Sequence, residues 1–169
     1  MNLTDILERY ADPAAAPHAD VEQHFDEAAQ QADPNDLGQG IAAALRSDAT
    51  PPFGQAVGTL FGQSNPPQQA GMLNQIVQSL GSGALSGVAG SILGRILGQR
   101  DAGMPAPTIT PAQASQLSPD EVTALATQAH SGDESIVDKM SAFYAEHPTL
   151  VKSLGAAALA IALGRMRRP

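Results

Sequence analysis

Residues 50–63 read TPPFGQAVGTLFGQ, and they decide what kind of protein this is. Phe53, Val57, Leu60 and Phe61 recur at helical spacing and make one apolar stripe. Gly54, Gly58 and Gly62 recur every four residues on the same segment. Each glycine inside a helix costs about 1 kcal/mol relative to alanine, so packing must offset three of them. Glycines four apart share one helix face and leave a shallow groove that a second helix can enter at backbone distance.

The pattern recurs downstream. Gly90, Gly94 and Gly98 repeat the spacing over 84–98, and Gly83 with Gly87 adds a further pair. Between Asp48 and Arg95 lie 46 residues with no charge and no histidine, whereas about a quarter of the residues in a soluble domain are usually charged. This coincidence makes Gly54, Gly58, Gly62, Gly83, Gly87, Gly90, Gly94 and Gly98 the candidate helix-packing and assembly residues, a glycine zipper. The spacing leaves open whether the partner helix lies in the same chain or in another.

Working outward, nearly every segment opens with a helix start. Residues 3–11 form a short amphipathic helix. Residues 19–32 follow, with Asp20 and Gln23 spaced as a capping box. Asp33-Pro34 starts a helix carrying Leu37, Ile41, Ala44 and Leu45. Thr50-Pro51 starts the glycine helix, and Ser64-Asn65-Pro66-Pro67 breaks the chain before a helix over 66–80. Thr110 to Gln113 and Ser118 to Glu121 are two further capping boxes. A helix lined by Ile136, Val137, Met140, Phe143 and Tyr144 stops at His147-Pro148, and a last one runs from about Pro148 to Met166. No segment alternates with the period of a strand. The expected fold is all-α, about eight or nine short helices in a compact bundle, divisible into two helical subdomains. Its expected divisions are 1–98, a Pro/Gly-rich linker at 99–109, and 110–169.

Composition narrows the function classes. The chain has 169 residues, a net charge of −8, 4% aromatics, no Trp and no Cys. Without Cys there is no disulfide, thiolate zinc site or thiol nucleophile. The acidic balance argues against nucleic acid. Residues 110–131 have the outline of a helix-turn-helix, but the second helix would bring Asp120 and Glu121 to the phosphates, which is the wrong sign. The acidic N-terminal stretch is unlike a secretory signal, so a cytoplasmic location is expected.

Charge is unevenly distributed. Ten acids and two bases lie in residues 1–50, and the last 22 residues hold four bases and no acid. Ser153 to Gly164 is uncharged and lies between Lys152 and Arg165, Arg167 and Arg168. Twelve residues are too few to cross about 30 Å of hydrocarbon. They can form a core helix whose terminal cations complement its dipole. The alternative is contact with an anionic membrane surface through Lys152, Arg165, Arg167 and Arg168, with a peripheral place at the inner membrane.

No chemistry-bearing motif stands out. His18, Glu22 and Asp26 have ligand-like spacing but flank an apolar stripe, where solvated polar residues belong. His130 with Glu134 straddles a turn. There is no G-x-S-x-G and no phosphate-binding loop. The expectation is a non-enzyme with no cofactor and no metal, no small-molecule substrate and no nucleic-acid partner. Its own second copy is the expected partner.

The stretch LGSGALSGVAGSILGRILG (80–98), followed by LSPDEVTALATQA (117–129), resembles the bacterial YidB-like proteins of the DUF937 group. The resemblance covers residues 70–146 and implies a helical, cytosolic, non-enzymatic protein. It carries over no catalytic residue. The chain departs from the group's acidic C-terminal helix by continuing as AEHPTLVKSLGAAALAIALGRM (145–166).

Overall fold

The computed structural model describes residues 2–12, 19–80, 87–98 and 108–166. Among these residues there are eleven α-helices and one 3-10 turn, with no strand. The helices are α1 (Leu3–Arg9), α2 (Val21–Gln31), α3 (Pro34–Leu45), α4 (Phe53–Gln63), α5 (Pro66–Leu80), α6 (Val88–Leu97), α7 (Pro111–Ala114), α8 (Pro119–Gly132), α9 (Ile136–Glu146), α10 (Pro148–Val151) and α11 (Ala156–Arg165). The 3-10 turn is Lys152–Leu154. The all-α class is as expected, but the count exceeds eight or nine. Thr110-Pro111 starts a one-turn helix of its own. The long C-terminal helix breaks at Gly155, where φ of +91° suits only glycine.

Caps explain most of the starts. The Asp33 carboxylate accepts from the Asn35 N–H at 2.9 Å. Thr110 with Gln113 and Ser118 with Glu121 form complete capping boxes. Asn65 and Gln68 form a third reciprocal pair at the start of α5, at 3.0 and 3.1 Å. Two expected starts are built differently. Asp20 makes no side-chain cap bond, and Gln23 turns to Glu27 instead, at 3.0 Å. The Thr50 hydroxyl donates to Ala44 O at 2.6 Å and to Ser47 O at 2.8 Å, so it closes the end of α3 and does not open α4.

The chain forms two compact units. One comprises Met1–Pro52 with Val137–Pro169, and the other is Phe53–Ile136. The expected boundary at 99–109 falls inside the second unit, because α5 and α6, before it, pack on α7 and α8, after it. The Asn74 amide holds the backbone of Ile109 by both groups, at 2.7 and 3.3 Å. Gln113 Nε2 donates to Ile96 O at 3.2 Å, satisfying a carbonyl in the last turn of α6.

In the first unit α11 is the central element. It packs on α3, α2 and α1, burying Ala158, Leu159, Ala162 and Leu163. Gly40 allows a close approach: a Cβ there would stand 2.5 Å from Ala162 O and 2.6 Å from Met166 Cγ. Gly164 does the same against Tyr10 O. In the second unit α8 is central, with α4 as its main partner and α5 and α6 alongside.

Tyr144 on α9 is fully buried, and its hydroxyl has no hydrogen-bond partner among the described residues. Burial pushes its phenol well above the ordinary value. A buried hydroxyl without a partner keeps its desolvation cost, about 1–3 kcal/mol. Tyr144→Phe is therefore expected to raise stability by about 1 kcal/mol in urea denaturation. A loss of stability in the variant would contradict an unsatisfied hydroxyl.

Candidate functional site

The glycine groove of α4 is filled by α8 of the same unit. A Cβ on Gly54 would overlap Thr127 Oγ1 and lie 2.9 Å from Thr123 O. One on Gly58 would overlap Thr123 Oγ1 and lie 2.8 Å from Pro119 O. Gly62 stands against the Pro119 ring, 3.3 Å from where its Cβ would be. The partner number falls as the glycine number rises, so the two helices run antiparallel. A four-residue series on one helix is matched by a four-residue series on the other.

The filling side chains suit the groove. Thr123 Oγ1 donates to Pro119 O at 2.9 Å, Thr127 Oγ1 to Thr123 O at 2.7 Å, and Ser131 Oγ to Thr127 O at 3.0 Å. Each hydroxyl proton is thus satisfied four residues back along its own helix. The β-branched threonines hold few rotamers, so ordering them costs little entropy. Phe53, Ala56, Val57, Leu60 and Phe61 provide the buried apolar area beside the seam.

The second glycine series has a different fate. Gly87 and Gly98 both have φ of +73° and bound α6 at its two ends. They set the helix limits, because a side chain at that φ is strained. Gly94 lies inside the helix and is exposed, and a methyl group added to it would meet nothing within 4 Å. Gly90 is half-buried, and Gly83 lies outside the described residues. Ala89, Ile92, Leu93 and Ile96 form the buried face of α6. The opposite side shows Val88, Ser91 and Gly94, and Val88 is 62% exposed, the one exposed large hydrophobic among the described residues.

Arg95 is tied to α8. Its guanidinium bonds Glu121 Oε1 at 2.5 Å, while Glu121 Oε2 accepts from the Ser118 N–H at 2.9 Å. The Ser118 N–H, and then Arg95, hold the Glu121 carboxyl below its ordinary value of 4.5. One carboxylate therefore closes the helix cap and anchors α6.

Two of the four basic C-terminal residues, Lys152 and Arg165, are among the described residues. Lys152 forms an ion pair with Asp26 on α2. Arg165 is exposed, and Arg167 and Arg168 lie outside the described residues. No described helix is long and apolar enough to cross a membrane. His18 also lies outside the described residues, and among those described no cluster of three His, Asp or Glu is placed to hold a metal. The His130 ring lies tilted against Phe53 with centroids 5.1 Å apart, and its Nδ1 is buried without a partner among the described residues. The His147 ring lies tilted against Phe143 with centroids 4.8 Å apart, and His147 precedes α10.

Three features do not stand out in the sequence pattern. Gly40 and Gly164 are contact glycines outside any four-residue series, although a glycine amid the apolar stripe of α3 is the same costly choice as in α4. His24 is buried and bonds the Tyr10 hydroxyl through Nδ1 at 2.7 Å, and no spacing signals that pair. A cleft of about 700 Å3 opens in the first unit beside the ends of α1 and α3 and along α11. Comparison with known family models, curated proteins and solved structures gives no match.

This geometry makes the two glycine series separable by mutation. Gly58→Ala meets a carbonyl and a stiff threonine, an overpacking cost of about 1–3 kcal/mol that exceeds the ~1 kcal/mol gained in helix propensity. Gly94→Ala meets open space and gains about 0.5–1 kcal/mol. Thermal or urea unfolding in dilute solution should therefore shift in opposite directions; a shared direction would contradict the seam. For Glu121, a carboxyl lowered in the folded state adds stability above its ordinary value. That contribution is lost as pH falls through the lowered one. Stability measured between about pH 6 and pH 3 should fall less steeply in Glu121→Gln than in the wild type. Identical pH profiles would contradict the Glu121 linkage.

Proposed function

We propose that this chain is a non-enzymatic helical structural protein that assembles with copies of itself through close helix packing. The supporting observation is the contrast between its two glycine helices. The groove of α4 is occupied inside the chain, whereas the face of α6 carrying Val88, Ser91 and Gly94 is uncovered among the described residues of its unit. A large exposed apolar side chain beside small residues is a surface on which a second helix gains both burial and close approach. The one charge of α6, Arg95, is neutralised by Glu121 and so does not oppose such an approach.

The surface-binding alternative rests on Arg165 with Arg167 and Arg168. It draws less support, since Lys152 is paired and the apolar residues of α11 are packed within the first unit. The cytoplasmic location remains part of the proposal, as does the likeness to YidB-like proteins.

Gly94→Leu separates folding from assembly, because the site has room for a side chain. The variant should keep wild-type helicity and melt no lower than the wild type, but show a lower mass in sedimentation equilibrium. An unchanged oligomeric mass would exclude α6 as the contact, and a wild-type monomer at all concentrations would exclude self-assembly.

A further inference from the structure

The cleft of the first unit has an uncharged floor and a charged rim. Ala43, Ala157, Ala160, Ile161 and Gly164 make the floor, and Asp12, Arg46, Asp48 and Arg165 stand around it. Three of the α11 residues on this side, Ala157, Ala160 and Gly164, have little or no side chain. The same helix buries its larger residues, Leu159 and Leu163, on the other side.

Two of the rim charges, Asp48 and Arg165, are not used within the described residues. Arg46 pairs with Asp138 at 3.0 Å. Asp48 and Arg165 are both exposed and make no ion pair among the described residues. One rim thus carries two opposite charges that meet neither each other nor a described neighbour.

We propose that this cleft is a two-fold contact between two copies of the chain, with α11 lying against α11 and Arg165 of each copy pairing with Asp48 of the other. The inference rests on the reading that the chain associates with itself, and it adds a location and a symmetry. A two-fold contact must be complementary to itself. A rim whose two unpaired charges are one acid, Asp48, and one base, Arg165, meets that condition, whereas a rim of one sign would repel its own copy. A strongly charged ligand gains little net attraction from the same rim. A floor made mostly of alanine lets a second helix come close, with the methyl groups setting the limit.

Charge exchange tests the pairing on the full chain. Wild type, Arg165→Glu, Asp48→Arg, the double exchange and Ala157→Glu are compared by sedimentation equilibrium, with circular dichroism and melting curves as fold controls. Each single exchange should weaken self-association by about tenfold, and the double exchange should recover it to within about threefold. Ala157→Glu, at an exposed floor position, should weaken it at least as much. Folded variants that all associate like the wild type would overturn the cleft contact, as would a double exchange that fails to recover. If Gly94→Leu lowers the mass while every cleft variant leaves it unchanged, self-assembly stands and this location falls. A wild-type monomer at all concentrations removes both.

Discussion

The second unit depends on the approach of α4 to α8 at backbone distance. Two glycines, Gly54 and Gly58, face two threonines and two carbonyls of α8, with no room for a methyl group. This explains how a segment low in aromatics and free of charge can hold together. Small side chains fill little volume, so a dense core requires the helix axes to come close. The glycine cost in α4 is the local price of that density. Phe53, Val57, Leu60 and Phe61, set beside the seam, bury the area that offsets it. The first unit uses the same device once more, with Gly40 against Ala162 and Gly164 against Tyr10.

Identical spacing does not imply identical use. Gly54 and Gly58 provide space, Gly87 and Gly98 provide a positive φ at the two limits of α6, and Gly94 provides neither. Only its partner distinguishes the first role from the last. For α4 that partner is a threonine series on a helix far later in the chain, where Thr123 and Thr127 match the four-residue period. An exposed Gly94 beside an exposed Val88 has no such partner among the described residues of the unit, and the proposal of assembly begins from that difference.

Much of the fold was legible because it is encoded locally. The capping boxes at Thr110 and Ser118 and the cap at Asp33 need only neighbours a few residues away. The stripes of α3, α4 and α5 follow from helical periodicity. What was not legible depends on distant contacts. Thr50 looks like a helix start, yet its hydroxyl bonds carbonyls six and three residues behind it. Residues 99–109 have a linker's composition, but Asn74 draws the backbone of Ile109 onto α5. The first unit joins the two ends of the chain, and no local pattern announces that residues 1–52 belong with 137–169. The buried Tyr10–His24 bond and the cleft beside Tyr10 both lie in that joined unit.

The glycine groove on α4 is matched side chain by side chain with α8, and a double-mutant cycle between Gly54 and Thr127 tests that match most directly. Alanine at Gly54 overlaps the Thr127 hydroxyl, so Thr127→Ala should relieve part of the damage. Gly54→Ala is expected to cost less in the Thr127→Ala background than in the wild type, with a coupling of about 0.5 kcal/mol or more. Additive effects within experimental error would mean that the two residues do not meet, and would contradict the seam on which the second unit depends.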